Sequence, residues 1–366
     1  MSRLCRRLLL ALLPVLLDGC QSAPPPDKLV LVPARYAELP GWADEAHAQL
    51  LPVLRQSCAT HLRRAPEEPI VAGLPSRRGD WTAPCTLAAL LPPDDSAAAR
   101  AFWEANFQPY AVLNNDQAEG LFTGYYEPEL RGSRACAPPY GVPLYRLPPE
   151  LNVKDRPAFF DRAAIDQGAL NGHGLELACV DSAIDAFFLH IKGSGRIALA
   201  EGGVLRVNVA GQNGQPYVAI GRELLQDGLI EPGKVSMQSI RAWLAANPAA
   251  APAMMARNPS YIFFREVALD PAEGPLGAEG VPLTPGRSLA VDRRFLGLGV
   301  PLWLDIASPQ GQLRRLIMAQ DTGGAIRGPV RGDLFWGWGD GAGELAGRMN
   351  HRGRYWLLLP RSAALY

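Results

Sequence analysis

The chain has 366 residues, with 36 basic and 36 acidic side chains and a formal net charge of zero. That balance offers no basic excess for a nucleic-acid partner, and 37 glycines with 34 prolines leave few long helical periods, which points to a mainly β, loop-rich protein. The length suffices for one large or two ordinary domains with an ample core.

The amino end reads as an export signal. "MSRLCRRLLLALLPVLLDGC" carries Arg3, Arg6 and Arg7 and then an apolar run from Leu8 to Leu17, too short for a permanent membrane span. Leu17, Gly19 and Cys20 stand where a bacterial lipoprotein signal has Leu, a small residue and the lipidated cysteine; Asp18 departs from the usual small residue. The expectation is a signal peptide over 1–19, lipid on Cys20 and a mature net charge near −2. Gln21, rather than the aspartate associated with inner-membrane retention, places the protein in the outer membrane facing the periplasm. A plain cleaved signal is the alternative. The Pro-rich "SAPPPDKLVLVPA" that follows predicts a tether over 20–39.

Residues 40–66 show apolar positions at helical spacing, interrupted by Pro52, and a second helix is expected over "SAAARAFWEANFQPYAVL", capped by Asp95 or Ser96. The texture then turns to short strands. "GLFTGYYEPELRGS" reads as a strand, "IDAFFLHIKGSGRIAL" as strand, glycine turn and strand, and "VLRVNVAGQNGQPYVAI" as a hairpin around Asn213-Gly214. A helix is expected over "VSMQSIRAWLAANP", capped by Ser236 and stopped at Asn247-Pro248. "SYIFFREV", the segments around "SLAVDRR" and "PLWLDI", "LRRLIMAQDTGGAI", "GDLFWGWG" and "RYWLLLP" complete the strands.

Four cysteines remain once Cys5 is cleaved and Cys20 carries lipid: Cys58, Cys85, Cys136 and Cys179. An oxidising compartment and an even count suggest two disulfides among three connectivities, the simplest in sequence order being Cys58–Cys85 and Cys136–Cys179; free buried thiols are the rival. Neither a Cys-x-x-Cys pair nor a histidine cluster suggests a metal, and no cofactor is expected.

The chemistry concentrates in "QDTGGAIRGPVRGDLFWGWG", residues 320–339. Asp321-Thr322-Gly323 is an aspartic-protease triplet, but that chemistry needs two facing triplets and the chain has one. The "GSG" of 193–195 lacks the residue between glycine and serine that a nucleophile elbow requires. Carbohydrate chemistry fits better: Tyr125, Tyr126, Tyr217, Trp336 and Trp338 lie beside glycine turns and polar side chains, and Asp292, Asp321 and Asp333 lie in short strands or their turns. An ordinary glycosidase uses two carboxylates; a turn residue capping its own backbone is the plain reading of each aspartate taken alone.

"FTGYYEP" (122–128), "HIKGSGRI" (190–197), "AGQNGQPYVAIG" (210–221), "MQSIRAWL" (237–244), "NPSYIFF" (258–264), "VDRR" (291–294), "AQDTGGAIRG" (319–328), "GDLFWGWG" (332–339) and "MNHRGRYWLLLP" (349–360) resemble, in order, the membrane-bound lytic murein transglycosylase A family. The resemblance covers about residue 120 to the end; 40–118 is much less diagnostic. It implies a double-psi β-barrel from 40–127 plus 271–366 with N-terminal helices, a smaller β domain inserted over 128–270, and a groove between them. It further implies Asp333 as the single catalytic acid, with Asp321 and Asp292 as supporting acids. Thr123, Tyr125, Tyr126, Gly193, Ser194, Gly195, Gln212, Asn213, Tyr217 and Trp336 would be glycan-binding residues, although Gln212, Asn213 and Tyr217 equally read as fixing a hairpin. Asn350 and His351 read rather as a turn before the last strand. The implied activity is cleavage of the β-1,4 bond between N-acetylmuramic acid and N-acetylglucosamine with formation of a 1,6-anhydro end. The implied partners are peptidoglycan glycan strands, the outer membrane through the lipid, and other cell-wall enzymes, for a protein expected to be a monomer. A protease and a non-catalytic wall-binding lipoprotein are the other two classes.

Overall fold

The computed structural model describes residues 25–70, 76–151, 159–309 and 311–363. The signal, the lipidation at Cys20 and the first residues of the expected tether lie outside them. The strands are β1 Leu29–Pro33, β2 Phe107–Asn114, β3 Gly120–Glu127, β4 Glu129–Ser133, β5 Val142–Tyr145, β6 Glu176–Val180, β7 Ser194–Leu199, β8 Val204–Gln212, β9 Ile262–Glu266, β10 Ser288–Val291, β11 Val300–Ser308, β12 Gly311–Asp321, β13 Arg331–Trp338 and β14 Asn350–Pro360. The helices are α1 Leu51–His61, α2 Thr82–Leu90, α3 Ser96–Asn106, α4 Arg162–Asp166, α5 Ala183–Lys192, α6 Ile220–Gln226, α7 Met237–Ala246, α8 Ala251–Ala256 and α9 Gly339–Arg348.

The strands form two sheets. The eight-stranded sheet runs β1-β2-β14-β11-β12-β10-β13-β3, and β14 pairs again with β3. That second pairing closes β14, β11, β12, β10, β13 and β3 into a ring, which leaves no free edge among these six. The pairs β10–β12 and β13–β3 are parallel. The second sheet, β5-β6-β4-β7-β8-β9, is built from residues 129–266, so the chain leaves the ring at the end of β3 and returns before β10. Apolar residues of the ring and of α1–α3 make one core, with Trp81, Trp103 and Trp303 fully buried.

Several elements differ from their sequence reading. Part of the expected tether is a strand: Leu29–Pro33 pairs with Tyr110–Asn114. Pro52 does not interrupt a helix but sits in the first turn of α1, where its missing N–H has no intrahelical partner to lose. The helix capped by Asp95, whose side chain accepts from the Ala98 amide at 2.9 Å, ends at Asn106; Pro109 lies in β2 beyond it. "IDAFFLHIK" is the helix α5, capped by Ser182, and Gly193 ends it in the left-handed conformation at φ 80°. An apolar run of this length suits helix or strand, and packing decides. The segment after Gln212 forms no hairpin. "MQSIRAWLAA" is helical as expected, with Ser236 accepting from the Ser239 amide. Cys58 bonds Cys85, joining α1 to α2, and Cys136 bonds Cys179 in the second sheet.

Glu279 accepts a hydrogen bond from Ser57 of α1 at 2.9 Å, while its Oε1 is buried with no partner. Burial pushes its carboxyl up to about 7, against the lowering pull of Ser57 and Arg78. Because this pKa is raised in the fold, the stability it contributes is complete below the ordinary carboxyl range and is lost as pH rises through about 7. Glu279→Gln is therefore expected to match the parent near pH 4 and to exceed it by roughly 1–3 kcal/mol at pH 8. Urea unfolding at both pH values measures this; equal stability at pH 8 would refute it.

Candidate active site

Strand alternation decides which side chains of "GDLFWGWG" meet. Asp333 and Phe335 point to one face of β13, Leu334 and Trp336 to the other. Asp333 lies opposite Thr123 of β3 on one side and Ala290 of β10 on the other, and Ala290 in turn lies opposite Asp321 of β12. One row across the ring thus reads Thr123, Asp333, Ala290, Asp321. Two strand spacings, about 9–10 Å, separate the aspartate backbones, and the small Ala290 side chain leaves the space between them open.

The hydrogen bonds define each acid. Arg331 donates to the Thr123 hydroxyl at 2.8 Å, and that hydroxyl donates to Asp333 Oδ1 at 2.7 Å. Asp321 accepts from the Tyr125 hydroxyl at 2.8 Å on Oδ2 and from the Ala278 amide at 2.9 Å on Oδ1. Burial raises the Asp333 pKa; Thr123, Arg331 and Lys192 pull it down, Asp321 pushes it up, and the net shift is upward. Tyr125, buried against Asp321, has its phenol raised well above the ordinary value and packs on Phe335 with ring centroids 5.3 Å apart.

Both acids open onto a groove of about 720 Å³. Its ring-side wall includes Tyr125, Tyr126, Ala290, Phe335 and the loop Thr322–Ile326, and its other wall Phe188, Ile191, Lys192, Ser194, Tyr217 and Ile240. A cavity of about 630 Å³ lies on the opposite face of α5, lined by Arg162, Phe187, His190 and Tyr261, and holds none of the expected site residues. The groove is the candidate site because the two acids converge there.

Of the expected residues, Thr123, Tyr125, Tyr126, Ser194, Tyr217, Asp321 and Asp333 meet at this groove. Others do not. Trp336, on the reverse face of β13, hydrogen-bonds Met349 Sδ at 3.4 Å; the aromatic wall beside Asp333 is Phe335. Asp292 is buried, receives Arg294 at 3.0 Å and the Gly328 amide at 2.8 Å, and so braces the loop after Asp321 instead of charging the groove. Burial works against its ionisation, but Arg294 and the amides overcome that and hold its pKa below the usual value. Asn213 is fully buried. It donates to the Phe160 and Pro259 carbonyls at 3.0 and 2.8 Å and accepts from the Tyr261 amide at 2.9 Å, fastening loops rather than facing the groove. Gln212 ends β8 opposite Ile262, outside the groove lining. The Gly193 amide is spent on the Leu189 carbonyl at 2.8 Å, and Gly195 is glycine because a Cβ would come within 2.5 Å of Leu189.

Sequence reasoning missed Lys192, Phe335, Ala290 and a buried ion cluster at the groove's end. There Glu127 receives Arg196 at 2.9 Å and Arg206 at 3.0 Å, all three side chains nearly inaccessible. Arg196 also donates to the Pro271 carbonyl at 2.5 Å and Arg206 to the Glu273 carbonyl at 2.8 Å. The cluster therefore ties both crossings between the sheets, Glu127-Pro128 outward and 270–273 on return. A Ser182 cap would have been the signal for α5, and hence for Lys192 at its end.

Residues 121–265 match the family model of the MltA specific insert domain, and 287–359 that of the 3D domain. The membrane-bound lytic murein transglycosylase A of Vibrio cholerae is 37% identical over 252 residues; the match spans 66% of this chain and 66% of that relative, just under two thirds of its length. Among solved structures, the lytic transglycosylase LtgG of Burkholderia pseudomallei is 42% identical with a TM-score of 0.68, over 92% of this chain and 98% of that one. MltA from Neisseria gonorrhoeae is 34% identical with a TM-score of 0.77, over 91% and 93%.

Proposed function

The chain belongs to the membrane-bound lytic murein transglycosylase A family, and from that premise we propose that it cleaves peptidoglycan glycan strands at the β-1,4 bond between N-acetylmuramic acid and N-acetylglucosamine, leaving 1,6-anhydromuramic ends. The observation that carries this reading is a half-buried aspartate of raised pKa in a groove whose second carboxylate is already engaged at both oxygens.

In this reading Asp333 is both acid and base. The Thr123 hydroxyl, fed by Arg331, donates to Oδ1 and leaves Oδ2 to carry the proton. Oδ2 protonates the departing O4 of N-acetylglucosamine as the C1–O bond breaks. The muramic C6 oxygen then bonds to C1, and Asp333 takes back the C6 hydroxyl proton. No water is consumed, and because the nucleophile belongs to the same sugar, a high effective molarity replaces a second catalytic carboxylate. Asp321 supports the charge of the site, and Tyr125, Tyr126, Ser194, Tyr217 and Phe335 hold the glycan. The closed ring is the double-psi barrel of the catalytic domain, with residues 128–270 inserted in it. The presence of Asp321 in the same groove keeps a second reading, a hydrolase that places water between two acids. Mass analysis of digested murein separates the two: anhydromuramic ends support the transglycosylase, and reducing ends would overturn it.

We further propose that lipid on Cys20 holds the protein in the outer membrane, facing the periplasm as a monomer beside other wall enzymes. No described helix is long and apolar enough to cross a membrane. Cys20→Ser is expected to move the protein from the membrane to the soluble fraction on centrifugation; retention of an unprocessed chain on membranes would contradict lipidation.

A further inference from the structure

Among the described residues, the groove lining contains four charged side chains, Glu127, Lys192, Asp321 and Asp333. Three have protein partners: Glu127 is matched by Arg196 and Arg206, Asp321 by Tyr125 and Ala278, and Asp333 by Thr123. Lys192 forms no hydrogen bond or ion pair among the described residues. Its Nζ lies over the Tyr126 ring, 5.3 Å from the centroid, at the end of α5 and exposed to the groove. We propose that Lys192 is a specificity-determining residue whose ammonium binds the lactyl carboxyl of the N-acetylmuramic acid held at Asp333. The proposal rests on the murein-cleaving reading of the groove.

The chemistry favours that group over the others on the glycan. Hydroxyl and acetamido groups occur on both sugars of the strand and are served by neutral donors. The lactyl ether at C3 distinguishes muramic acid, and it ends in an acyl oxygen, or in a carboxylate where the peptide has been removed. An ammonium held against an aromatic face, with no protein anion hydrogen-bonded to it, gains most from an anionic acceptor. The groups facing it agree. Asp333 stands across the groove on β13, the Tyr126 ring on β3, and Arg241 of α7, itself paired with Asp185 of α5, adds a like charge. Burial and Arg241 lower the Lys192 pKa while Asp333 raises it, so an added substrate anion is welcome there. Cleavage leaves the muramic ring with C1 at Asp333, which places its C3 substituent within one sugar ring of that acid.

The test compares two probes on the full chain in detergent, with Asp333→Asn present to prevent turnover: peptide-free murein glycan, and chitohexaose, which has no lactyl group. Lys192→Met is expected to weaken murein-glycan binding about tenfold or more, to leave chitohexaose binding unchanged, and to be rescued by Lys192→Arg. Equal loss on both probes, or loss on neither, would overturn the assignment. Should Lys192→Met melt below the parent, the uncharged, polar Lys192→Gln carries the same comparison. Digestion of sacculi by the parent chain keeps the two readings apart. Without anhydromuramic products the murein reading itself fails; with them, a variant indifferent to the probe removes only the role of Lys192.

Discussion

Asp333→Asn will abolish most glycan cleavage and spare glycan binding. Asparagine keeps the size of the side chain and an oxygen for Thr123, but it neither donates a proton to the leaving oxygen nor receives one from the C6 hydroxyl. General acid–base assistance is typically worth about 10²–10⁴-fold, and the loss should fall in that range. The parent rate should fall as pH rises through the raised Asp333 pKa, since the first step needs the protonated acid. Asp321→Asn is expected to behave differently. Burial is the largest cause of the raised Asp333 pKa, and Asp321 contributes least among its charged and hydrogen-bonding neighbours. Removing that charge should move the alkaline limb to lower pH and lower the rate without abolishing it, because asparagine still accepts from Tyr125. Rates and muropeptide products for both variants across pH decide the matter. Near-parental turnover by Asp333→Asn with none by Asp321→Asn would put the proton on the other aspartate.

The second large effect is on stability. Glu127→Ala leaves the Arg196 and Arg206 guanidinium groups buried without their carboxylate. Breaking a buried ion pair by removing one partner typically costs about 3–5 kcal/mol, because the remaining charge is neither solvated nor compensated. Here two cations are stranded, and Trp338, on which Arg196 stacks at 3.7 Å, loses its neighbour's fixed position. Urea unfolding should show a loss in that range. Activity should fall further than stability alone explains, since the same arginines hold the chain crossings that set the groove's width. A loss below about 1 kcal/mol would mean that the carbonyls of Asp270, Pro271 and Glu273 satisfy the arginines by themselves.

What the sequence determined by itself was local or compositional. The Ser236 cap and the Asn247-Pro248 stop set α7, alternation marked the strands around Asp321 and Asp333, and nine ordered blocks identified the family. Those signals are legible because caps, periodicity and motif spacing depend on neighbours within a few residues. The site's composition needed the tertiary structure. Thr123 meets Asp333 across 210 residues of chain, and the order of β12, β10 and β13 sets Ala290 between the two acids. The face of β13 that turns to the groove exchanges Trp336 for Phe335, because a shift of one residue reverses every side chain on a strand. Asp292 and Asn213, polar residues in promising motifs, proved to be buried fasteners, since only burial and partners separate a structural polar group from a binding one. Lys192 entered the groove because "IDAFFLHIK" packed as a helix, a choice its apolar run leaves open and its contacts with the rest of the fold decide.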